Sequence, residues 1–381
     1  MDSGLAPDGA PRNDIISDDE RFMRLALSLG RRGLGNTWPN PAVGAVVVRD
    51  GVIVGRGWTQ PGGRPHAEPV ALAHAGEAAR GATLYVTLEP CSHVGKSPPC
   101  TDAVIAAGIT RVVSAIEDPN PEVAGQGHAR LRAAGIAVEI GLGAAEAAHD
   151  HAGHFRRVRD KRPHVILKLA VSADDKIAAA GRKPVAISGE AAKARMHLLR
   201  AQSDAILVGI GTVQADDPLL TCRLPGMEAR SPVRVVLDRA LRISGTSRLV
   251  HSARATPLWL MTSGPAEAAA AMKLGAAGAQ VIRVVTAATP PGLDLSAVLR
   301  ALAERGITRL LVEGGARVAS SFAAAGLVDE FWLLRGPDAV GAEGIPALDA
   351  LPLTSITQSP GFRVRATENL DKDTLTVYER V

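Results

Sequence analysis

The chain has 381 residues, 46% of them hydrophobic, and a net charge of +4. That is comfortable for two domains and too apolar for a disordered chain, and with 3% aromatics its cores must be packed from Ala, Val, Leu and Ile. The mild positive charge suits an anionic small molecule. The absence of any Lys/Arg run interleaved with aromatics argues against a nucleic-acid surface, and no apolar run reaches membrane-spanning length.

In chain order, residues 1–16 read as a disordered tail, too polar and acidic for a signal or transit peptide. Ser17 and Glu20 form a capping box for the helix RFMRLALSLGRRG, which stops at Gly30, Gly33 and Gly35. Pro39 and Pro41 hold Asn40 in an extended or turn conformation, with its amide at a strand edge. Val43–Val48 and Val52–Trp58 read as a hairpin around Asp50-Gly51. His66–Ala75 reads as a helix with Pro69 in its first turn, so His66 and Glu68 fall at its N-terminus. A buried strand, Ala82–Leu88, leads to Cys91. Pro98 and Pro99 precede Cys100 at the start of another helix, and further strands follow at Arg111–Ile116 and Ile136–Ile140. The order predicts a three-layer α/β/α domain with a mixed sheet over residues 17–145. Residues 146–162 read as an exposed linker helix whose His149, His151 and His154 are solvated.

A second α/β domain is expected over 163–381. Its first strand, HVILKLAVS, carries Lys168 among apolar residues. An amphipathic helix follows over 189–202 with Arg195 and Arg200, then the strand AILVG and a turn, Gly209-Ile210-Gly211-Thr212. Strands are expected at Val233–Leu237, Leu258–Met261 and Val281–Val285, a helix at 295–305, a strand from Leu310 into Gly314-Gly315, and strands near 330–335 and 373–379. This alternation implies a largely parallel sheet with an antiparallel edge.

His66, Cys91 and Cys100 supply one nitrogen and two sulfur donors, the set for a zinc ion that keeps a fourth position for water. Glu68, two residues past His66, has the offset of a proton carrier beside that water, as in the His-x-Glu and Pro-Cys pattern of zinc deaminases. A structural zinc knuckle with His93 as fourth ligand is the competing reading, but it leaves Glu68 without a role. In the second half, Gly209 and Gly211 after one strand and Gly314 and Gly315 after another could bring backbone amides to a dinucleotide pyrophosphate. The full GxGxxG fingerprint is missing, which disfavours a plain Rossmann domain. Lys168 and Glu313, charges at the ends of apolar strands, need a partner or a ligand.

TLEPCSHVGKSPPC, with eight residues between its cysteines, resembles the hallmark of the deaminase of riboflavin biosynthesis, and the first half resembles the cytidine-deaminase fold. LKLAVSADDKIA, LRAQSDAILVGIGTVQADDPLLTCR and LLVEGG resemble the reductase domain of the same pathway, which is similar to dihydrofolate reductase. Together the resemblances cover the chain from about residue 18 onward, and they imply a bifunctional enzyme holding zinc and NADPH. The deaminase substrate would be a diaminopyrimidinone with a ribosylamino 5-phosphate, touched by Asn40, His93, Lys96, Asp118 and Asn120; the reductase would convert the ribosyl group to ribityl. The resemblance further implies cofactor contacts at Ala170, Thr212, Asp216 and the Gly209, Gly211, Gly314 and Gly315 turns, and substrate contacts at Lys168, Ser188, Arg200, Leu220, Arg223 and Glu313. Thr59 stands where many members have His, and KPVAIS stands for a Ser-x-Trp-Ile-Thr pattern, so Pro184 and Ala186 change two contacts. The family also implies a homodimer or homotetramer, and three sparse cysteines suit a reducing cytoplasm. An active deaminase with an altered reductase half and a nucleic-acid-editing deaminase are the alternatives.

Overall fold

The computed structural model describes residues 17–93, 95, 97–182, 185–264, 268–287, 292–349 and 351–381. The readings of residues 1–16, Lys96 and Pro184 lie outside the described residues.

Ser17 caps α1 (Asp18–Arg31) reciprocally with Glu20, and Phe22, Met23, Ala26 and Leu27 recur at helical spacing on its buried face. β1 (Gly44–Arg49) and β2 (Val52–Trp58) form the expected hairpin. Its turn residues Asp50 and Gly51 both have positive φ, the conformation that matches the twist of a tight hairpin. α2 (Ala67–Ala75), β3 (Thr83–Val86), α3 (Cys100–Ala106), β4 (Arg111–Ser114), α4 (Gln126–Ala133) and β5 (Ala137–Ile140) complete a five-stranded sheet, ordered β2-β1-β3-β4-β5. β1 is antiparallel to both neighbours, while β3, β4 and β5 are parallel. Alternation along β1 splits the core: Ala45 and Val47 face α2 and α3, and Val46 and Val48 face α1. This is the expected three-layer α/β/α arrangement. Gly44 is required because a Cβ there would lie 1.9 Å from the Ala26 carbonyl oxygen of α1.

α5 (Ala144–Asp150) and α6 (Ala152–Asp160) connect to the second unit. There the chain runs β6 (His164–Val171), β7 (Lys176–Ala178), α7 (Glu190–Ala201), β8 (Ala205–Gly209), α8 (Ile210–Asp216), β9 (Val233–Leu237), α9 (Arg248–His251), β10 (Leu258–Thr262), α10 (Ala268–Ala276) and β11 (Gln280–Arg283). It continues β12 (Thr286–Ala287), β13 (Gly292–Leu293), α11 (Leu295–Glu304), β14 (Arg309–Val312), α12 (Ala316–Ala324), β15 (Glu330–Arg335), β16 (Ile345–Pro346), α13 (Thr354–Thr357), β17 (Phe362–Leu370) and β18 (Asp373–Arg380). The main sheet is ordered β11-β10-β9-β8-β14-β6-β15-β18-β17, parallel through β15 and antiparallel at β18 and β17.

β6 is buried on both faces, as a central parallel strand must be. Val165, Leu167 and Leu169 pack toward α11 and α12; Ile166 packs toward Met196 and Leu199 of α7. Period-two alternation then puts Lys168 on the α7 side, the side of Arg200. From β8 the chain proceeds to β9 on one side, and from β14 it crosses to β15 on the other. The order therefore reverses between β8 and β14, and the crevice outside their carboxyl ends is where open α/β sheets take ligands.

The linker histidines depart from the sequence reading. His151 is 2% exposed, and the His154 side chain is also nearly buried. The reason is that α5 and α6 wedge between the two units instead of standing in solvent. Arg31 of α1 pairs with Asp150 at 2.8 Å, while Arg157 Nε donates to Ala303 O at 2.9 Å and Arg162 forks Asp329 at 2.5 and 2.8 Å.

Candidate active sites

In the first unit, His66 is the cap residue of α2, and Cys100 is the first residue of α3. His66 Nδ1 lies 3.3 Å from Cys100 Sγ and 3.8 Å from Cys91 Sγ, and the three ligand atoms all fall within 4.8 Å of one another. Zinc bonds of about 2.0–2.1 Å to nitrogen and about 2.3 Å to sulfur place tetrahedral N and S ligands about 3.6 Å apart, so the donor set fits zinc. The Cys100 N–H donates to Cys91 Sγ at 3.3 Å. The Cys100 thiol, burial notwithstanding, holds the Cys91 thiol down to about 4, so this sulfur is ready as a thiolate ligand. Glu68 is 3% exposed. Burial pushes its carboxyl up to about 7, with His66 pulling it down and Cys91 pushing it further up. A carboxyl poised there can take and return a proton at neutral pH.

Around this centre, Asn40 Nδ2 donates to Gly63 O at 2.8 Å and lies 3.4 Å from His66 Nε2. His93 is exposed on the insert between the cysteines. Asp118 is buried, and its carboxylate accepts from the Asn120 N–H at 2.8 Å and meets His154 Nε2 at 3.0 Å. Burial opposes ionisation of Asp118, but His154 and the Asn120 N–H outweigh it and hold the carboxyl below its usual range. Asn120 Oδ1 accepts from the Glu122 N–H at 3.2 Å, so both residues shape their own turn. Thr59 is buried with Oγ1 accepting from the Val43 N–H at 3.0 Å, which ties the side chain to the sheet edge.

In the second unit, Arg200 forks Glu313 through Nε and Nη2, each at 2.8 Å, and its Nη1 donates to Thr221 O at 3.2 Å. All three guanidinium nitrogens are thus engaged, which makes Arg200 the counter-charge of Glu313. Burial works against the Glu313 carboxylate, yet Arg200 and Lys168 hold it down to about 2. Burial lowers the pKa of Lys168 while Glu313 opposes the shift. Leu220 is buried with a left-handed φ of 56°, a strained conformation for leucine, and it leads to exposed Arg223.

Gly209 and Gly315 cap α8 and α12 at the carboxyl ends of β8 and β14. The expected turn at 209–212 is therefore the first turn of a helix. A Cβ on Gly315 would lie 3.6 Å from Thr212 Oγ1, so these helix starts face one another, while nothing lies within 4 Å of a Cβ on Gly211. An open backbone at two adjoining helix starts fits a pyrophosphate. Gly209 and Gly314 also have a packing reason, since a Cβ on either would meet Val318 at 2.8 or 2.7 Å. Ala170 lies on β6, Asp216 is exposed at the end of α8, and Ser188 is half-buried before α7.

Residues 163–376 match the RibD C-terminal domain family, and residues 16–116 match the cytidine and deoxycytidylate deaminase zinc-binding region. The riboflavin biosynthesis protein RibD of Aquifex aeolicus (strain VF5) is 41% identical, covering 95% of this chain and 98% of its own length. That of Escherichia coli (strain K12) is 40% identical over 93% and 97%. The chain belongs to the RibD family. RibD of Acinetobacter baumannii has a similar structure, with a TM-score of 0.84 at 34% identity over 96% of this chain and 99% of that one. The deaminase/reductase of Thermotoga maritima gives 0.81 at 36% identity over the same shares. This RibD-family chain is accordingly a bifunctional deaminase and reductase of riboflavin biosynthesis, with a deaminase domain followed by a reductase domain.

Three residues near these RibD sites, Arg64, His197 and Glu89, escaped the sequence reading, and a fourth, His154, was read as solvated. Arg64 Nη1 donates to Ser97 Oγ at 2.6 Å, bracing the insert between the cysteines. His154 comes from the linker to hold Asp118. His197 lies one turn before Arg200 on α7 and accepts from the Arg223 N–H at 3.3 Å. Glu89 is buried and accepts from the N–H groups of Asp118, Gly125, Gly127 and His128 at 2.8–3.2 Å. Glu89, Glu117 and His128 form a second cluster of ligand types, but four N–H donors occupy the Glu89 lone pairs, which makes it a loop anchor. In sequence Glu89 lay in the hallmark stretch itself, while a lone His on a helix gave no signal.

Proposed function

We propose that the unit over residues 17–145 removes ammonia from a diaminohydroxyphosphoribosylaminopyrimidine, and that the unit over 163–381 reduces the resulting 5-amino-6-(5-phosphoribosylamino)uracil with NADPH, the substrates named for the Thermotoga maritima relative. Residues 146–162 join the two. The observation that carries the deaminase assignment is the His66, Cys91 and Cys100 donor set with Glu68 buried beside it. Zinc, one ion per chain, when bound by these three residues lowers the pKa of a water from about 15.7 to about 7. With zinc so held, Glu68 would carry two protons in turn, the water's first proton to the ring nitrogen as the C–O bond forms, and the remaining hydroxyl proton to the amine, which leaves as ammonia as the C–N bond breaks and the C=O bond forms. Asn40 orients the pyrimidine, and His93, Lys96, Asp118 and Asn120 take the ribosyl phosphate side.

In the reductase half, Thr212, Asp216, Ala170 and the Gly209, Gly211, Gly314 and Gly315 backbone hold NADPH in the crevice between β8 and β14. Lys168, a buried cation beside Glu313, faces the sugar being reduced. Arg223 takes the 5-phosphate, with Ser188 and Leu220 beside it, while Arg200 and Glu313 hold each other in place. The enzyme works in the cytoplasm as a homodimer or homotetramer.

Metal removal tests this division. Stripping the protein with a chelator abolishes ammonia release, leaves NADPH oxidation with the deaminated substrate intact, and one equivalent of zinc per chain restores the first activity. Loss of both activities together on chelation contradicts the assignment.

A further inference from the structure

The loop after β4, Glu117-Asp118-Pro119-Asn120, is held from two directions. Glu89, inside the deaminase unit, accepts from the backbone N–H groups of Asp118 and Gly125 at 3.2 and 3.0 Å. The Asp118 side chain is held from outside that unit: its two carboxylate oxygens lie 3.0 and 3.1 Å from Nε2 of His154 on α6. α6 in turn is fastened to the reductase unit. Arg157 Nε donates to Ala303 O at 2.9 Å, Arg156 pairs with Asp329 at 3.1 Å, and a Cβ on Gly153 would lie 2.8 Å from Thr308 O. His154 therefore reaches from a helix seated on one unit into the Asp118 loop of the other.

A ring nitrogen that faces two carboxylate oxygens carries its hydrogen and donates, because a bare nitrogen would set its lone pair against theirs. The His154 and Asp118 side chains are only 10% and 9% exposed, so water competes little for this bond. The Asn120 N–H, at 2.8 Å, engages one Asp118 oxygen from within the loop. Without the His154 Nε2–H, that single bond leaves the carboxylate free to rotate toward water. A carboxylate offers roughly four acceptor sites, so with both bonds made Asp118 keeps capacity for a further donor. It can only accept, and what it takes from a substrate is an O–H or N–H, such as a ribosyl hydroxyl.

We propose that His154 is a positioning residue of the deaminase site: from the linker, its Nε2–H fixes the orientation in which the Asp118 carboxylate meets the ribosyl end of the substrate. The inference rests on the reading of Asp118 as a substrate contact. The reductase unit thus helps to shape the deaminase pocket through α6, while the chemistry of each site stays its own. Asp118 lies at the ribosyl end, away from the reacting carbon, so its loss weakens binding of substrate and transition state alike and shows in KM.

The test is a double-mutant cycle on the full-length, zinc-loaded chain. His154→Phe keeps a ring and removes the donor; His154→Gln places an amide N–H near the Nε2 position; Asp118→Asn removes the charge that His154 holds. Steady-state ammonia release gives KM and kcat, and NADPH oxidation with the deaminated substrate by the same preparations reports folding. The expected result is that His154→Phe raises KM for deamination roughly 10-fold, the low end for a hydrogen bond to a charged group, and leaves kcat unchanged. His154→Gln keeps KM close to that of the parent. Asp118→Asn raises KM at least as much as His154→Phe, and combining the two adds nothing, because His154 acts only through Asp118. An unchanged KM in His154→Phe beside a raised KM in Asp118→Asn overturns the proposal and leaves the reading of Asp118 intact. Effects of the two substitutions that multiply in the double variant also overturn it, since His154 then acts by another route. An unchanged KM in both single variants removes the reading of Asp118 as well.

Discussion

Glu68→Gln keeps one zinc per chain and slows ammonia release by about 10²–10⁴-fold, the usual range for a positioned proton carrier. Reduction of the deaminated substrate is unchanged. The expectation follows from the geometry: Glu68 is buried beside His66, Cys91 and Cys100 but is two residues removed from the ligand it accompanies. Gln preserves the volume and the hydrogen-bonding shape, so the site assembles, but it cannot accept the proton of a water. Metal analysis and the two activities, measured on one preparation, check this. Zinc loss in the variant would make Glu68 a structural partner of the ligands.

Glu313→Gln acts on the other half and through a different cause. It removes the only carboxylate recorded against Arg200 and Lys168 among the described residues, leaving two poorly solvated cations side by side. Breaking one partner out of a buried pair destabilises by about 3–5 kcal/mol, and reductase activity falls with it. The pH dependence has a definite sign. Glu313 has its carboxyl lowered from an ordinary 4.5 to about 2 in the folded protein, so its contribution is whole above pH 4.5 and is lost as pH falls toward 2. Urea melts of the two proteins therefore show a wide stability gap at pH 7 that narrows below pH 4. A gap that stays constant down to pH 3 would mean that the Arg200–Glu313 fork is not what holds this corner.

These two expectations differ in how far the sequence already showed them. The zinc site was legible because its chemistry is local: a proline and two short helices place His66, Glu68, Cys91 and Cys100 wherever the chain goes next. The ion pair was half legible. Lys168 and Glu313 stood out as charges at the ends of apolar strands, but α7 showed Arg200 only as one of several basic residues on a helix. That Arg200 pairs with Glu313 depends on which face of β6 and β14 meets α7, a tertiary fact.

The misreadings share that origin. His151 and His154 lie in a polar, Arg-rich segment that looks solvated, yet their partners are Thr87 and Asp118, far away in sequence and themselves polar. A helix can be buried against polar surface without an apolar stripe, so periodicity is silent there. β17, FRVRATENL, was missed because this edge strand beside β18 alternates Phe, Val and Ala with Arg over only its first half, then turns polar, and never shows an apolar run. Gly209-Ile210-Gly211-Thr212 was taken for a turn on its glycines, whereas Gly209 in extended backbone is an ordinary helix cap.

The central claim is that one chain holds two independent sites acting in a fixed order. The most direct measurement supplies the zinc-loaded protein with the diaminopyrimidinone ribosyl phosphate, with and without NADPH, while following ammonia and absorbance at about 340 nm. The account predicts ammonia release at the same rate in both cases, and NADPH oxidation that begins only as deaminated product accumulates and reaches one equivalent per ammonia. NADPH oxidation that precedes ammonia, or ammonia release that requires NADPH, would contradict it.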